Sequence, residues 1–132
     1  MDESPAKLLN YVDGRLCTPR DGRYLDVHEP AVGQCFARCP DSTADDVDAA
    51  VHAAAGAFPA WSATAAAQRA AVLNSIADGV EARLDEFAAA ESRDSGKPVA
   101  LARSLDIPRA IANVRFFAAA ITQFSSEAHV MG

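Results

Sequence analysis

The sequence lacks the residues from which a metal or thiol site would ordinarily be built. It has 3 cysteines, 3 histidines and 1 tryptophan in 132 residues, and aromatic residues make up 7%. None of these cysteines and histidines follows a zinc-ligand spacing. The cysteines also fall in predicted extended segments, with no nearby helix N-terminus to activate a thiolate. We therefore interpret Cys17, Cys35 and Cys39 as small residues of a reduced compartment.

Long apolar runs and an excess of positive charge are absent too. No apolar run reaches the ~18 residues that a membrane span needs, and the opening MDESPAKLLN lacks the charged-then-apolar order of a leader peptide. The net charge is -6, with basic residues spaced among acidic ones. This disfavours binding to a phosphate backbone. We expect a cytoplasmic protein that binds neither nucleic acid nor membrane.

The common nucleotide and nucleophile motifs do not occur. The glycines are isolated, and neither G-x-G-x-x-G nor G-x-x-x-x-G-K-[ST] occurs in the sequence. No serine stands in G-x-S-x-G. No catalytic and no cofactor-binding residue is therefore assigned in this chain.

Alanine is abundant instead. Hydrophobic residues make up 50% of the chain, and many are alanines in runs such as 53–55, 65–67, 88–90 and 118–120. Alanine favours helix but buries little area. The sequence therefore predicts a helical protein with a thin core.

The first forty residues read as two short hairpins. Asp13-Gly14 is a two-residue turn signal, because a type I′ turn needs positive φ. A second pair, 24–28 and 34–39, flanks the turn-forming stretch 30–33. Residues 1–8 read as a loose terminus. Cys35 and Cys39 are an even number of residues apart, which predicts side chains on one side of the strand.

Three helices are expected over 41–132. The first is capped by Ser42 in S-x-x-D and ended by Pro59, with Trp61 in the connection. The second is one long helix, capped by Thr64 and amphipathic from Leu73 to Ala88. The third has Ile107, Ile111, Val114, Ala118 and Ile121 on one face, which Phe116, Phe117 and Phe124 are expected to widen, and Pro108 lies in its first turn. The fold class is α+β: short hairpins, then three helices with no strand after them.

Asp94 is the polar residue that we consider the strongest candidate for ligand binding. It stands where the long helix stops in D-S-G-K-P, since Gly96 tolerates positive φ and Pro98 ends the helix. Its carboxylate could bind a cation or pair with Lys97. The alternative is a turn aspartate that accepts hydrogen bonds from local amides.

From Asn10 to about Ala128 the chain resembles the N-terminal part of an aldehyde dehydrogenase. NYVDGRL resembles the opening hairpin of that family, and HEPAVGQ its N-P-x-T-G-E turn, from which Glu29 and Val32 depart. DVDAAVHAAAGAFPAWSATAAAQRAAVL resembles its paired helices, and ESRDSGKP matches E-x-x-D-x-G-K-P. ALARSLDIPRAIANVRFFA resembles the branch that oxidises 2-aminomuconic and 2-hydroxymuconic semialdehydes.

The resemblance implies an oxidoreductase chemistry whose residues lie elsewhere. In the family a cysteine thiolate attacks the aldehyde, hydride passes to NAD and a glutamate activates water. An asparagine side chain and a backbone N–H stabilise the oxyanion. All of these lie downstream of the matched segment, and this sequence has no P-W-N-F-P, E-L-G-G-K or G-Q-x-C. We expect neither NAD binding nor catalysis from this chain alone.

The resemblance also implies one ion site. Some family members bind a monovalent cation through backbone oxygens of the N-P turn and the aspartate of D-x-G-K-P. Those positions correspond to Val27, His28 and Asp94. A remaining ligand would lie downstream.

The sequence is thus interpreted as an N-terminal part, residues 1–132, of an α/β aldehyde dehydrogenase, with 1–40 extended and 41–132 helical. The catalytic domain and most of the NAD-binding domain are expected to be absent from it. Its role would be scaffolding, and its partner the remainder of the dehydrogenase or further copies of itself. The alternative is a free-standing helical interaction module derived from that family.

Overall fold

The computed structural model describes residues 4–124. They divide into two compact units. The first contains the residues up to Ala63 together with Glu91–Lys97, and the second contains Thr64–Ala90 together with the residues from Pro98 on. The order of short strands followed by helices is the α+β arrangement that the sequence predicts.

Five short strands form two sheets in the first unit. Their bounds are β1 Ala6–Lys7, β2 Asn10–Val12, β3 Arg15–Cys17, β4 Tyr24–Glu29 and β5 Gln34–Pro40. Strands β2 and β3 pair with each other, and the other sheet has the order β1-β5-β4, with β1 parallel to β5. The predicted loose terminus is thus wrong for β1. A strand of two residues is too short to show the alternating hydrophobic pattern by which a strand is predicted from sequence.

The predicted hairpin turn is confirmed. Strands β2 and β3 pair in register around Asp13-Gly14. Both turn residues adopt positive φ, 51° at Asp13 and 74° at Gly14. These are the values that a type I′ turn requires.

A β-bulge changes the geometry of β5. Val27 pairs with Ala37 but its neighbour His28 pairs with Cys35, so Phe36 is the extra residue. Leu25 pairs with Cys39. Because His28 and Leu25 are an odd number of positions apart, they and their partners point to opposite faces. The prediction that Cys35 and Cys39 share a side is therefore wrong.

Helix α1, Ala44–Ala63, is longer than predicted. Pro59 lies inside it and Trp61 belongs to its last turn, so Pro59 does not end the helix. Proline has a helical φ, and the hydrogen bond that it removes falls near the helix end. The Ser62 hydroxyl donates to the Pro59 carbonyl at 3.1 Å.

The cap of α1 is shifted by one residue from the prediction. Thr43 precedes the helix, and both its backbone N–H and its hydroxyl donate to Asp46, at 2.9 and 3.0 Å. The backbone N–H of Arg20 donates to the other carboxylate oxygen at 3.0 Å. These bonds, the Thr43 backbone N–H first, hold the pKa of Asp46 below its ordinary value. Ser42 instead accepts a hydrogen bond from the Asn10 side chain.

The predicted long central helix is two helices, α2 Ala66–Glu81 and α3 Leu84–Ser95. The break at residues 82–83 contains neither glycine nor proline, so no local signal marks it. Thr64 is not the cap either. Ala65 stands at the N-cap without a side-chain bond, and the Thr64 carbonyl accepts from the Arg69 guanidinium at 2.7 Å.

The last helical stretch runs through α4 Val99–Leu101, a π-helical segment Ala102–Asp106 and α5 Ile107–Gln123. Pro108 lies in the first turn of α5, as predicted. The prediction that Phe116, Phe117 and Phe124 widen the face of Ile111 and Ala118 is wrong, because those two residues are buried and the three phenylalanines are exposed. A proline ring crowds the carbonyl four residues earlier. The wider π-helical turn before it relieves that contact.

The buried side chains of residues 4–124 are mostly alanines. Helices α2 and α5 pack together, and Ile111 is the single large aliphatic side chain that is buried among the described residues. The others are Ala37, Ala70, Ala77, Ala88, Ala102, Ala118 and Pro19. On the central stripe, Leu73, Leu84 and Phe87 are half-buried and Ile76 is exposed. The core is as thin as the composition indicates.

Two glycines allow a matched test of the local backbone. Gly79 lies in helix α2, and apart from its chain neighbours and the adjacent backbone of its own helix no described heavy atom is within 4 Å of the position its Cβ would take. Gly96 has φ +75°, and its Cβ would stand 3.0 Å from Cβ of Pro30. Gly79→Ala should stabilise α2 by about 0.5–1 kcal/mol, whereas Gly96→Ala should destabilise the end of α3 by at least ~1–2 kcal/mol. Amide hydrogen exchange measures both local opening energies. Shifts of equal sign in the two variants would contradict this description of Gly96.

Candidate functional site

The turn between β4 and β5 is tied to its own first residue. The amides of Val32 and Gly33 donate to the Glu29 carbonyl, at 3.3 and 2.7 Å. Gly33 takes φ 69° at the end of the turn, a conformation natural to glycine. The bulge at Phe36 follows three residues later. Hydrogen bonds to Glu29 therefore define the turn after β4, and the bulge shifts the pairing register of β5 after the turn.

The end of α3 forms a compact turn. The Gly96 amide donates to the Ser92 carbonyl at 2.9 Å, and the Ser92 hydroxyl donates to the Lys97 carbonyl. The Ser95 hydroxyl donates to the Glu91 carbonyl at 2.7 Å. The bonds to the Ser92 and Glu91 carbonyls satisfy groups that a helix C-terminus leaves without partners.

Three contacts join this helix end to the β4–β5 turn, all within the first unit. The Arg93 guanidinium donates to the Glu29 carboxylate at 3.1 Å. The same guanidinium lies over the Phe36 ring, 4.5 Å from its centroid. Gly96 approaches Pro30 so closely that a Cβ would meet the proline ring. We call this arrangement the turn–helix junction, defined by Glu29, Pro30, Phe36, Arg93 and Gly96.

The three residues expected at a cation site are close to this junction along the chain. Val27 and His28 end the regular part of β4, where the bulge interrupts the ladder, and Asp94 lies between Arg93 and Gly96. Val27 is half-buried, and His28 and Asp94 are exposed. The junction therefore brings the neighbours of Asp94 to the turn that follows His28. Ligation by these three residues stays a prediction.

The junction has no group positioned for covalent chemistry. Across residues 4–124, no cluster of three or more His, Cys, Asp and Glu side chains is placed to hold a metal ion. All three cysteines are free. The Cys35 thiol donates to the Ala37 carbonyl at 3.4 Å, and the Cys17 thiol to the Asn10 carbonyl at 3.7 Å. The chemistry available here is electrostatic: one carboxylate, one guanidinium and backbone oxygens.

The sequence reasoning missed Arg93 and Phe36. Arg93 is an unconstrained position of E-x-x-D-x-G-K-P, and Phe36 gave no sign that it was the bulged residue. One signal was available: Glu29 stands where the turn motif has asparagine, and a new carboxylate calls for a cation near it. Arg93, which lies within ESRDSGKP, supplies that cation.

A second charge cluster holds α2 to α5 in the other unit. One amino group of Arg115 donates to Asp78 at 2.8 Å and to Glu81 at 2.6 Å. The hydrogen bonds to Glu81 and Asp78, in that order, raise the pKa of Arg115.

No helix within residues 4–124 has the length and apolarity to cross a bilayer.

Comparison with known proteins gives a consistent match. The model of the aldehyde dehydrogenase family matches residues 17–131. The human 2-aminomuconic semialdehyde dehydrogenase is 45% identical over 120 residues, 91% of this chain and 24% of that protein. Its Danio rerio counterpart is 44% identical over 126 residues, 94% of this chain and 25% of that protein.

Solved structures agree with the sequence matches. A crystal structure of PnpE in complex with nicotinamide adenine dinucleotide superposes with a TM-score of 0.90 and 37% identity, covering 96% of this chain and 26% of that chain. Lactaldehyde dehydrogenase from Escherichia coli gives 0.89 and 30%, covering 94% of this chain and 26% of that chain. The chain spans about a quarter of the length of the relatives that it matches.

The junction predicts coupling between Glu29 and Arg93. Glu29→Gln and Arg93→Met should each speed exchange of the Gly33 amide by roughly 1.5- to 5-fold, the range of an exposed ion pair. The double variant should show less than the product of the two effects, because the shared interaction is lost once. Glu86→Gln, which breaks the exposed Arg83–Glu86 pair elsewhere, is the control and should leave Gly33 unchanged. Multiplicative effects would show that the pair is not coupled.

Proposed function

This chain belongs to the aldehyde dehydrogenase family, and on that premise we propose that it is the N-terminal scaffold of an NAD-dependent semialdehyde dehydrogenase. The observation that carries the proposal is the match to one quarter of full-length relatives in both sequence and fold. The identity with 2-aminomuconic semialdehyde dehydrogenases supports a semialdehyde as the substrate. The partner of this segment is then the remainder of the dehydrogenase.

The scaffold has two structural features to contribute. One is the turn–helix junction, where the Arg93–Glu29 pair and the Gly96–Pro30 contact fix the β4–β5 turn. The other is the α2–α5 pair, closed by Arg115 between Asp78 and Glu81. Neither feature contains a nucleophile. We propose that the segment positions the parts of the enzyme that carry out chemistry and does not itself contact the reacting atoms.

NAD is the cofactor that the family uses, and one structural neighbour is an NAD complex. When bound, NAD accepts the hydride from the aldehyde carbon. The sequence has no glycine-rich phosphate loop. We therefore propose that the NAD contacts are made by the part of the dehydrogenase outside the matched quarter, and we assign none to this chain.

We also propose that the turn–helix junction presents a monovalent-cation site. Backbone oxygens of Val27 and His28 and the carboxylate of Asp94 would be ligands, as oxygen atoms suit a hard cation. The bulge supports this assignment, because a register shift at Val27 and His28 disrupts the regular ladder there. The same ion would be held incompletely without a ligand from the rest of the enzyme.

A chimera tests the proposed function. Residues 17–131 of this chain replace the matching segment of human 2-aminomuconic semialdehyde dehydrogenase. The chimera should reduce NAD with the semialdehyde, because the segment is structural, while the 132-residue chain alone should not. Changing Cys17, Cys35 and Cys39 to alanine should leave the chimera active.

Two results would contradict the proposal. One is aldehyde-dependent NAD reduction by the 132-residue chain that disappears when one of its cysteines is replaced. The other is a well-folded chimera that binds NAD but does not turn over. The second result, together with a stable monomeric 132-residue chain, would favour the interaction module instead.

A further inference from the structure

Two contacts hold the Arg93 side chain at the β4–β5 turn. Its guanidinium donates to the Glu29 carboxylate at 3.1 Å and lies over the Phe36 ring, 4.5 Å from the centroid. Glu29 is the more buried partner, with a side chain 26% exposed against 55% for Arg93. The positive charge of Arg93 is therefore directed to the turn and balanced there.

Asp94 follows Arg93 in helix α3 but takes no part in these contacts. Adjacent side chains of an α-helix diverge by about 100°, so Asp94 does not point the same way as Arg93. Its side chain is exposed, and within residues 4–124 its carboxylate has neither an ion pair nor a hydrogen bond. Lys97, the next cation along the chain, pairs with Glu91 at 3.8 Å. The Asp94 carboxylate is thus available to an external cation.

Glu29 sets the local charge that such a cation meets. The position is a departure of this chain from the turn motif of the family, which has an uncharged asparagine there. Glu29, Arg93 and Asp94 together contribute two negative charges and one positive charge, a balance that suits a monovalent cation. Without the Glu29 carboxylate the three positions would be neutral in sum, because the guanidinium would offset Asp94.

We propose that Glu29 is a positioning residue for the monovalent-cation site: it engages and neutralises Arg93, and so keeps the Asp94 carboxylate available to the ion. The proposal rests on the cation site proposed above and adds to it two residues that are not ligands. An exposed ion pair contributes little to stability. The main consequence of the Glu29–Arg93 pair is therefore the charge that it leaves beside Asp94.

Binding of Na⁺ or K⁺ to the chimera tests the proposal, since the chimera supplies the ligand expected downstream. The apparent Kd follows from the rise in Tm as NaCl or KCl replaces choline chloride at constant ionic strength. Glu29→Gln should weaken binding by about 2- to 5-fold, because Arg93 is then uncompensated near the ion. Arg93→Met should strengthen binding by a similar factor. The double variant restores the native sum of charges and should bind like the native chimera.

Two further variants separate charge from structure. Arg93→Lys keeps the positive charge and should leave the Kd near its native value. Glu86→Gln is the matched control, because Arg83 is likewise paired with Glu86 and lies over the Phe87 ring, 5.3 Å from its centroid. It should leave the Kd unchanged. Sodium NMR linewidths of the 132-residue chain repeat the series without the chimera, and should show weaker binding with the same order of variants.

A purely structural role of the pair predicts another pattern. A loosened turn would weaken ion binding in both single variants and in the double variant, and this result would overturn the proposal, as would one Kd shared by all variants. If Na⁺ and K⁺ raise the native Tm no more than choline does, the cation site and this proposal are both wrong. Aldehyde-dependent NAD reduction by the chimera is measured separately, so the scaffold function is judged on its own result.

Discussion

The close packing of alanines is the constraint on which this structure depends. Helices α2 and α5 bury Ala70 and Ala77 on one side and Ala118 beside Ile111 on the other. Small side chains let helix backbones approach, but each removes little apolar area from water. The ion pairs of Arg115 add to the contact, yet these side chains are exposed and such pairs contribute little. Helices α2 and α5 are held together by the close approach of their backbones more than by a large hydrophobic core.

This constraint explains the surface. The large apolar side chains that an ordinary domain would bury stand exposed here, including Phe58, Trp61, Phe116 and Phe117. Under the function proposed above, such side chains are available to the remainder of the dehydrogenase, because the chain covers 24% of the human relative. The turn–helix junction has the opposite character. Its contacts are an ion pair between residues 64 positions apart in the chain, a guanidinium over a phenyl ring and the close approach of Gly96 to Pro30.

Local backbone rules predicted much of the fold. The Asp13-Gly14 hairpin and the end of α3 at Gly96 could be predicted because aspartate and glycine are residue types that adopt positive φ, and all three do so here. The bulge at Phe36 and the break at residues 82–83 could not be predicted, because no residue type marks them. Ser42 and Thr43 each stand three residues before an aspartate, so the pattern does not distinguish them. Thr43 is the residue that caps α1, because it makes the hydrogen bonds to Asp46. For the candidate site, the motifs located its neighbourhood, but the Arg93–Phe36 contact depends on the bulge.

We expect that this segment forms helices locally, because alanine favours helix, but needs further chain to reach ordinary stability, because its core is thin. Thermal unfolding of the purified 132-residue chain, followed by circular dichroism and calorimetry together, tests it most directly. The account predicts strong helical signal, a broad transition in which the calorimetric and van't Hoff enthalpies disagree, self-association and binding of a hydrophobic dye. A sharp two-state melt of a monomer that binds no dye would contradict it.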